Sequence, residues 1–247
     1  MRALVVSALH SNIEALRAVM NRVRRKKYEQ VICLGDFVGY GAQPNQVLDV
    51  MRRMHGTKLY IRGNHDRVAA GMDNGESFNH AAKFAALWTR DHLSAPNRHF
   101  LQRLALGPVE SKDGVVLCHG SPNDEDEYVF NESHARVVFE MTVAPVILYG
   151  HTHLPVIFAM DRHGRLRGAS VREETTVRLD RDHRYLINPG SVGQPRDRNP
   201  QASFAMFDIR RMTVQFFRVS YDVAKTQTAI LKAGLPPILA HRLAHGT

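Results

Sequence analysis

Five short loops of this sequence combine histidine with aspartate, asparagine or glycine, and each follows a short apolar run. The loops are 7–10 (Ser-Ala-Leu-His), 35–36 (Gly-Asp), 63–66 (Gly-Asn-His-Asp), 118–120 (Cys-His-Gly) and 150–153 (Gly-His-Thr-His). Imidazole, carboxylate and amide oxygen form a ligand set suited to Mn, Fe, Zn, Ni or Co, and glycine lets the backbone approach closely. Because these ligands exceed what one ion needs and a carboxylate can bridge, the pattern predicts a site for two divalent metal ions.

The positions of the histidines favour this interpretation. A single histidine in a loop is usually a hydrogen-bonded polar residue without a ligand role. Five of the fourteen histidines, at positions 10, 65, 119, 151 and 153, lie in the strand-end loops, whereas the other nine lie in predicted helices or turns. The coincidence at five strand ends therefore points to metal binding more strongly than any one histidine does.

The elements that must position these loops are predicted from apolar periodicity. Strands are predicted at 3–6, 31–34, 58–61, 115–118, 146–149, 156–160, 165–170, 175–179, 185–187, 203–208 and 213–219, and helices at 13–23, 44–54, 76–104 and 223–244, the last interrupted at 234–237. Alternating strands and helices in the first half indicate stacked β-α units, in which the carboxyl ends of neighbouring strands meet at one edge. We therefore expect the five loops to face one point.

The fold class predicted from this order is α/β with four layers. Two mixed β-sheets are expected to pack face to face as a sandwich with helices outside. The sequence shows no repeat, low-complexity tract or break in composition, which predicts a single domain over residues 1–247. Segment 72–104 is a candidate partial cap on the site.

Composition limits the class of protein. The chain has 247 residues, of which 44% are hydrophobic and 23% charged, and this excludes a disordered or fibrous protein. No apolar run reaches the length of a membrane span and the N-terminal run is too short for a signal peptide, so we expect a cytoplasmic protein without membrane contact. Cys33 and Cys118 lie in strand-like runs and are expected to be buried free thiols.

The net charge of +9 favours polyanionic partners, but only weakly. The densest basic run, residues 22–27, ends a predicted helix, where cations complement the helix dipole and remain solvated. Nucleic acid is therefore a possible partner that the sequence does not favour. The sequence does not indicate an oligomeric state.

The five blocks, in this order, resemble the calcineurin-like metallophosphoesterase superfamily over residues 1 to about 220. The run 188–197 (Asn-Pro-Gly-Ser-Val-Gly-Gln-Pro-Arg-Asp) is similar to the tail loop of its compact bacterial phosphodiesterase branch, which is related to diadenosine tetraphosphatases. The ligands that the resemblance implies are His10, Asp36 and His153 for a first metal ion, and Asn64, His119, His151 and the shared Asp36 for a second. It also implies that His65 is the catalytic histidine close to the leaving oxygen.

The sequence departs from the superfamily pattern in two of its motifs. Ala8 stands where the first block has aspartate, and a methyl group cannot bind a metal ion, so the first site is expected to be weak and the chain to have low activity. Since the other blocks are intact, we interpret Ala8 as an engineered replacement, with a natural alanine as the alternative. Gly39 and Tyr40 replace the Asp-Arg pair of the protein-phosphatase branch, which leaves Asp66 as the candidate to orient His65.

The resemblance implies a metal-dependent hydrolase, with Mn favoured and Fe, Ni, Zn or Co as alternatives. The expected reaction is hydrolysis of a phosphodiester or phosphoanhydride in a small nucleotide-like substrate. Segments 72–104 and 122–135 are expected to line the pocket. Candidate substrate contacts are Asn12, Tyr40 and Arg196, and the aromatic residues that could stack on a base are Tyr40, Trp88, Tyr128 and Phe130, although helical spacing favours a core position for Trp88. Alternatives are a phosphomonoesterase, a weakened metal- or nucleotide-binding pseudoenzyme, and a sequence-nonspecific nucleic-acid-binding protein.

Overall fold

Twelve strands and eight helices make up the chain in a computed structural model that covers residues 1–247. The strands are β1 (Arg2–Val6), β2 (Gln30–Cys33), β3 (Thr57–Tyr60), β4 (Val109–Glu110), β5 (Val115–Leu117), β6 (Val146–Leu148), β7 (Val156–Asp161), β8 (Leu166–Ser170), β9 (Thr175–Arg178), β10 (His183–Asn188), β11 (Ala202–Asp208) and β12 (Thr213–Val219). The helices are α1 (Ile13–Val23), α2 (Pro44–Arg53), α3 (Asn64–Ala69), α4 (His80–His92), α5 (Ala95–Gln102), α6 (Glu132–Met141), α7 (Val223–Lys232) and α8 (Pro237–His241), followed by a 3-10 turn at Arg242–Ala244.

The first sheet has the strand order β3-β2-β1-β11-β12-β9. β1, β2 and β3 are parallel, and the remaining neighbours are antiparallel. Leu4 and Val6 of β1 lie on the face of the sheet that α1 covers, whereas Ala3 and Val5 lie on the face that packs against the second sheet. Burial on both faces explains why the strand reads as a continuous apolar run rather than an alternating one.

The second sheet has the strand order β4-β5-β6-β10-β7-β8, with β5, β6 and β10 parallel. Val115 and Leu117 of β5 face the first sheet, and Val116 packs with Val138 and Phe139 of α6 on the outside. The layers are therefore helix, sheet, sheet and helix. The predicted α/β sandwich of two mixed sheets flanked by helices is confirmed.

Every predicted strand is present within two residues of its expected ends. The predicted helix at 76–104 is instead two helices, α4 and α5, because the chain leaves the helical conformation at Leu93 and Ser94 and Pro96 lies at the start of α5. Three elements were not predicted from the sequence, namely α3, α6 and the two-residue β4. α6 had a readable signal, since Ala135, Val138 and Phe139 follow helical spacing behind the N-cap Asn131.

The features predicted from composition take ordinary structural roles. Cys33 and Cys118 are buried and free, as expected. Arg22, in the last turn of α1, pairs with Glu174 at 3.0 Å and lies over the Phe217 ring, so the basic run has a structural partner. None of the helices combines the length and the apolar character that crossing a membrane requires.

Candidate metal centre

The histidine-bearing loops meet at one edge of the sandwich, but they come from both sheets. His10 follows β1 and Asp36 follows β2 in the first sheet, whereas His119 follows β5 and His151 follows β6 in the second. Asn64 and His65 open α3 just after β3. The convergence expected within one sheet is therefore achieved between two, because the parallel strands of both sheets end at the same edge of the sandwich.

The backbone of these loops is held in an unusual conformation. Of the nine non-glycine residues with positive φ, seven lie in the loops around this centre. They are Ala8, His10, Ser11, Asp36, Tyr40, His151 and His153, with φ between 45° and 61°. Such conformations cost about 1–3 kcal/mol each and persist only where the surroundings enforce them. Their concentration here marks the edge of the sandwich as the functional region.

The first ligand group contains two histidine rings that face each other. His10 and His153 each place Nδ1 against a backbone carbonyl, Val38 O at 3.0 Å and Gln194 O at 2.7 Å. Their Nε2 atoms lie 3.0 Å apart, and His10 Nε2 is 3.5 Å from Asp36 Oδ2. Because a carbonyl only accepts, each Nδ1 carries the proton and donates.

This arrangement fits a cation. Burial lowers the pKa of both His10 and His153 well below the ordinary value, so both rings are neutral. Two neutral rings that donate through Nδ1 direct their Nε2 lone pairs at each other, and two lone pairs cannot form a hydrogen bond. A metal ion between them would satisfy both, as in metal sites where the other ring nitrogen is fixed by a carbonyl.

The second ligand group shares Asp36 with the first. His119 places Nδ1 2.6 Å from Leu34 O and Nε2 3.4 Å from Asp36 Oδ2. His151 donates from Nε2 to Asp126 O at 3.1 Å, which leaves its Nδ1 free. Candidate ligand atoms of Asp36, His119 and His151 all lie within 4.8 Å of one another. The Asn64 Oδ1 is buried without a hydrogen-bond partner, as a metal-binding amide oxygen would be.

Asp36 is the charge that both groups share. Burial acts to raise its pKa, but the His119 and His65 rings hold that pKa well below the ordinary value, so the carboxylate is ionised. Although burial opposes it, Asp36 raises the pKa of His119 to about 9. A proton on His119 therefore neutralises the buried carboxylate where a metal ion would otherwise do so.

His65 lies within reach of the same cluster. Its candidate ligand atom lies within 4.8 Å of those of His10 and Asp36, and its ring contacts Tyr40 and Phe78 at centroid distances of 4.3 and 4.6 Å. Its Nδ1 is buried without a hydrogen-bond partner. Burial lowers the pKa of His65 to about 4, so the ring is neutral at pH 7 in the free protein.

The role predicted for Asp66 is wrong. Its carboxyl oxygens accept from the backbone amides of Asp36 at 2.8 Å, Gly63 at 3.0 Å and Val38 at 3.2 Å, and the His65 ring is not among its partners. Burial and the Asp36 carboxylate raise the pKa of Asp66 to about 8, while two of these amide bonds act in the opposite direction. Asp66 thus fixes the loop that carries Asp36 rather than orienting His65.

The substrate contact predicted for Asn12 is also wrong. Its Oδ1 accepts from Ala15 N at 3.1 Å and from the Thr226 hydroxyl at 3.1 Å, and its Nδ2 donates to Gly193 O at 2.9 Å. The side chain is 1% exposed. Asn12 is the N-cap of α1 and ties it to α7 and to the loop at Gly193, so its buried polar atoms bind to the fold rather than to a ligand.

Ala8 lies in the loop between β1 and the first histidine ligand and is fully buried. Its amide donates to Gly35 O at 3.0 Å, and its carbonyl accepts from Ser191 Oγ and Gly193 N at 2.9 Å each. Its φ of 50° is uncommon for alanine, while aspartate and asparagine are enriched in this region. The backbone at position 8 thus has a conformation that suits aspartate better than alanine.

Tyr40 and Arg196 lie together at the rim of the centre. The Tyr40 ring is 4.6 Å from the His10 ring, and the guanidinium of Arg196 approaches the Tyr40 hydroxyl at 3.2 Å and Gln194 Oε1 at 3.3 Å. Arg196 Nε is buried without a partner. The charge of Arg196 contributes to lowering the pKa of His65, which places the guanidinium close to the site.

A cavity of about 320 Å³ opens beside the ligands. Its lining residues are Tyr40, Asn64, His65, Ser77, Phe78, Asn79, Ala82, Asp126, Tyr128 and His151. Segments 72–104 and 122–135 both contribute, as predicted. Trp88 is not part of this lining and packs with Ala82 and Ala85 on α4, as its helical spacing indicated.

Sequence reasoning missed the ion-pair network that joins the two sides of this cavity. Arg67 of α3 pairs with Asp126 at 2.8 Å and with Glu125, which also pairs with Arg62 at 3.2 Å. Asp126 in turn accepts from the His151 ring through its carbonyl. The only sequence signal was the acidic run 124–127, and nothing in its spacing pairs it with the distant Arg62 and Arg67.

The fold and the centre define a metal-binding α/β sandwich protein, and comparison with known proteins identifies its family. The model of the calcineurin-like phosphoesterase superfamily domain matches residues 1–212. The chain therefore belongs to the calcineurin-like phosphoesterase superfamily, and the resemblance seen in its motifs is confirmed. Membership in this superfamily supports a hydrolase that uses divalent metal ions.

Relatives match almost the whole chain. A protein of Methanocaldococcus jannaschii is 37% identical over 243 residues, which are 97% of this chain and 96% of that protein. The metallophosphoesterase from Sphaerobacter thermophilus has a similar structure with a TM-score of 0.86 and 34% identity, covering 100% of this chain and 99% of its own. A hypothetical protein of Pyrococcus horikoshii shares the fold with a TM-score of 0.79 at 21% identity, covering 100% and 98%.

Proposed function

We propose that this protein is a phosphoesterase that uses two divalent metal ions, Mn being the favoured ion, to hydrolyse a phosphodiester or phosphoanhydride of a small nucleotide-like substrate. One observation supports this most: the ionised Asp36 carboxylate lies between two histidine groups, with His10 Nε2 at 3.5 Å and His119 Nε2 at 3.4 Å from its Oδ2 atom. When bound, the ions supply activation of water and neutralisation of the phosphate charge. The cytoplasmic location remains a prediction from the sequence.

The side chains of the chain divide the remaining work. His10, Asp36 and His153 would hold one ion, and Asn64, His119, His151 and Asp36 would hold the other. Arg196 neutralises a phosphate oxygen at the rim, where Tyr40 and Gln194 fix its guanidinium. Segment 72–104 partially caps the site, since Ser77, Phe78 and Asn79 line the cavity. This cap limits water around the phosphate.

His65 donates the proton to the leaving oxygen. Its pKa of about 4 in the free protein results chiefly from burial, which disfavours the charged ring. The negative charge of a bound phosphate ester acts in the opposite direction and favours the imidazolium. The His65 Nδ1 atom is buried and has no hydrogen bond within the protein that would compete with the substrate. A phosphate-dependent gain of a proton would make the acid available only when substrate is present.

The experiment compares the chain as it is with an Ala8→Asp variant. Each protein is stripped with chelator, reloaded with Mn²⁺ and assayed on bis(p-nitrophenyl) phosphate and on p-nitrophenyl phosphate. We expect Mn²⁺-dependent turnover, faster in Ala8→Asp and faster on the diester. Faster turnover of the monoester would favour a phosphomonoesterase instead.

Ala8 supports one alternative, a metal-binding pseudoenzyme. If Ala8→Asp retains Mn²⁺ but hydrolyses neither compound, the pseudoenzyme is the better description. If neither protein retains metal, the ligand assignment itself is wrong, and with it the proposed function.

A further inference from the structure

Two exposed aromatic rings lie next to each other, and one of them, Tyr128, lines the cavity. The Tyr128 and Phe130 rings are parallel within 7° at a centroid distance of 5.1 Å. Tyr128 is 42% exposed and Phe130 is 51% exposed. Scattered exposed apolar residues are ordinary, but a stacked and exposed pair beside a polar site presents a flat apolar surface that water covers poorly.

This pair is continuous with the metal centre. The Tyr128 ring lies 4.0 Å from the ring of the ligand His151, and Tyr128 lines the cavity together with Asn64 and His65. The rings of His151, Tyr128 and Phe130 therefore form a row that leads from the proposed ligand outward. A group attached to a phosphate at the centre would extend along this row.

The rings are held in place by buried structure. Val129, between them in the chain, is 1% exposed, and its carbonyl accepts from the buried Tyr149 hydroxyl at 3.1 Å. The Phe130 amide lies 3.3 Å from His134 Nδ1 in α6. The exposure of the two rings is thus imposed by the fold and does not result from a loose loop.

A hydrogen-bond acceptor accompanies the rings. Asp126 lines the same cavity, and its Oδ2 pairs with Arg67 at 2.8 Å. Its Oδ1 is buried and has no partner. A buried acceptor without a donor is costly, so this oxygen is placed for a donor that the ligand brings.

We propose that Tyr128 and Phe130 form the stacking platform for the nucleobase of the substrate, with Asp126 Oδ1 accepting a hydrogen bond from the nucleoside. The proposal rests on the proposed function and narrows its substrate class to nucleotides. All four bases can stack on an aromatic side chain. The platform therefore selects nucleosides over simple alkyl groups but does not specify one base.

The test measures binding rather than turnover. Calorimetric titration of Mn²⁺-loaded Ala8→Asp protein with AMP and with ribose 5-phosphate gives the two dissociation constants, and we expect AMP to bind at least about tenfold more tightly because of the stacked base. In this background Phe130→Ala and Tyr128→Ser are expected to reduce that preference severalfold, whereas Tyr128→Phe retains it. Phe84→Ala is the control, since Phe84 is 44% exposed but its ring stacks neither on Tyr128 nor on His151.

The outcomes separate this inference from the function on which it rests. Equal binding of AMP and ribose 5-phosphate, or a preference that survives both platform variants, would overturn the platform even if Mn²⁺-dependent hydrolysis of the diester is found. Loss of Mn²⁺ retention and hydrolysis together would overturn the proposed function first. Asp126→Asn adds a second readout: a carboxamide binds the donor less well, so the affinity for AMP is expected to fall while circular dichroism shows the fold intact.

Discussion

The two halves of the centre differ in what they offer a metal ion, although both use Asp36. On one side, the two neutral rings of His10 and His153 face each other at 3.0 Å, and position 8 supplies only a buried methyl group. In the other half, His119 and His151 are close to Asp36, and the buried Asn64 Oδ1 without a hydrogen-bond partner is a further candidate ligand. The first half is thus one anionic ligand short, whereas the second has all the ligands that the resemblance implies.

This difference shows that ligand geometry and ligand charge are set separately. The backbone around Ala8 keeps the left-handed φ, and the His10 and His153 rings keep their carbonyl partners. What the first half lacks is the carboxylate of position 8, because the shared Asp36 and two imidazoles give a divalent ion there one ligand fewer than the second half offers. We therefore expect tight binding in the second half and weak binding in the first.

The largest effect is expected from the residue that both halves share. Asp36→Asn removes the only carboxylate between them, so both metal ions should be lost. The expected loss of several kcal/mol of transition-state stabilisation amounts to about a thousandfold in kcat/KM. Metal content by mass spectrometry and diester turnover in the Ala8→Asp background check this. Asp91→Asn, at an exposed carboxylate, is the control, and unchanged metal content in Asp36→Asn would contradict a shared ligand.

Removing one histidine from each half should separate the two sites. In the chain with Ala8, His119→Ala removes a ligand of the second, tighter Mn²⁺ site. The affinity of that site is expected to fall by more than the roughly 10–100-fold that follows loss of a residue hydrogen-bonded to a metal ligand. His153→Ala should leave that tighter site in place and affect only the weak one. Calorimetry resolves the two sites, with the exposed His99→Ala as control. Equal effects of both substitutions would show that the halves do not differ.

Adding the missing charge should remove the difference. Ala8→Asp places a carboxylate next to His10 and is expected to raise affinity for the first ion by at least about tenfold, in line with the sensitivity of metal sites to single groups. The bound stoichiometry should rise from about one to two ions per chain. Ala8→Asn, which adds a neutral oxygen of the same shape, is the matched comparison and should give a smaller gain. An equal gain from both would mean that charge is not what the first half lacks.

The smallest effect is expected from Asp66, which holds the loop that carries the shared Asp36. Asp66→Asn replaces an acceptor of three backbone amides by a group that can satisfy only part of them. The free energy of unfolding should fall by about 1–3 kcal/mol, the cost of an unsatisfied buried group. Urea unfolding measures it, with the exposed Asp113→Asn as reference. A loss confined to turnover, with stability unchanged, would restore the catalytic role that the sequence suggested for Asp66.

The sequence predicted most of the fold because the strands buried on both faces are continuous apolar runs. It was less successful where tertiary contacts decide. The break between α4 and α5 follows local proline chemistry, but a helix as short as α3 depends on the surrounding fold. The roles of Asn12 and Asp66 were misjudged because both are polar residues inside motif blocks, and their types do not show that backbone groups occupy all or most of their hydrogen-bonding capacity.

The residue types at the strand ends were determined by the sequence alone, and so were the shared carboxylate at Asp36 and the missing one at position 8. Only the tertiary structure decided which ring nitrogen each histidine leaves free, because the carbonyls of Val38, Gln194 and Leu34 that fix the rings come from distant segments. It also decided that two sheets contribute to one centre and that Tyr128 and Phe130 remain exposed beside it. Side-chain chemistry is local, whereas the position of a lone pair relative to a charge depends on how the chain packs.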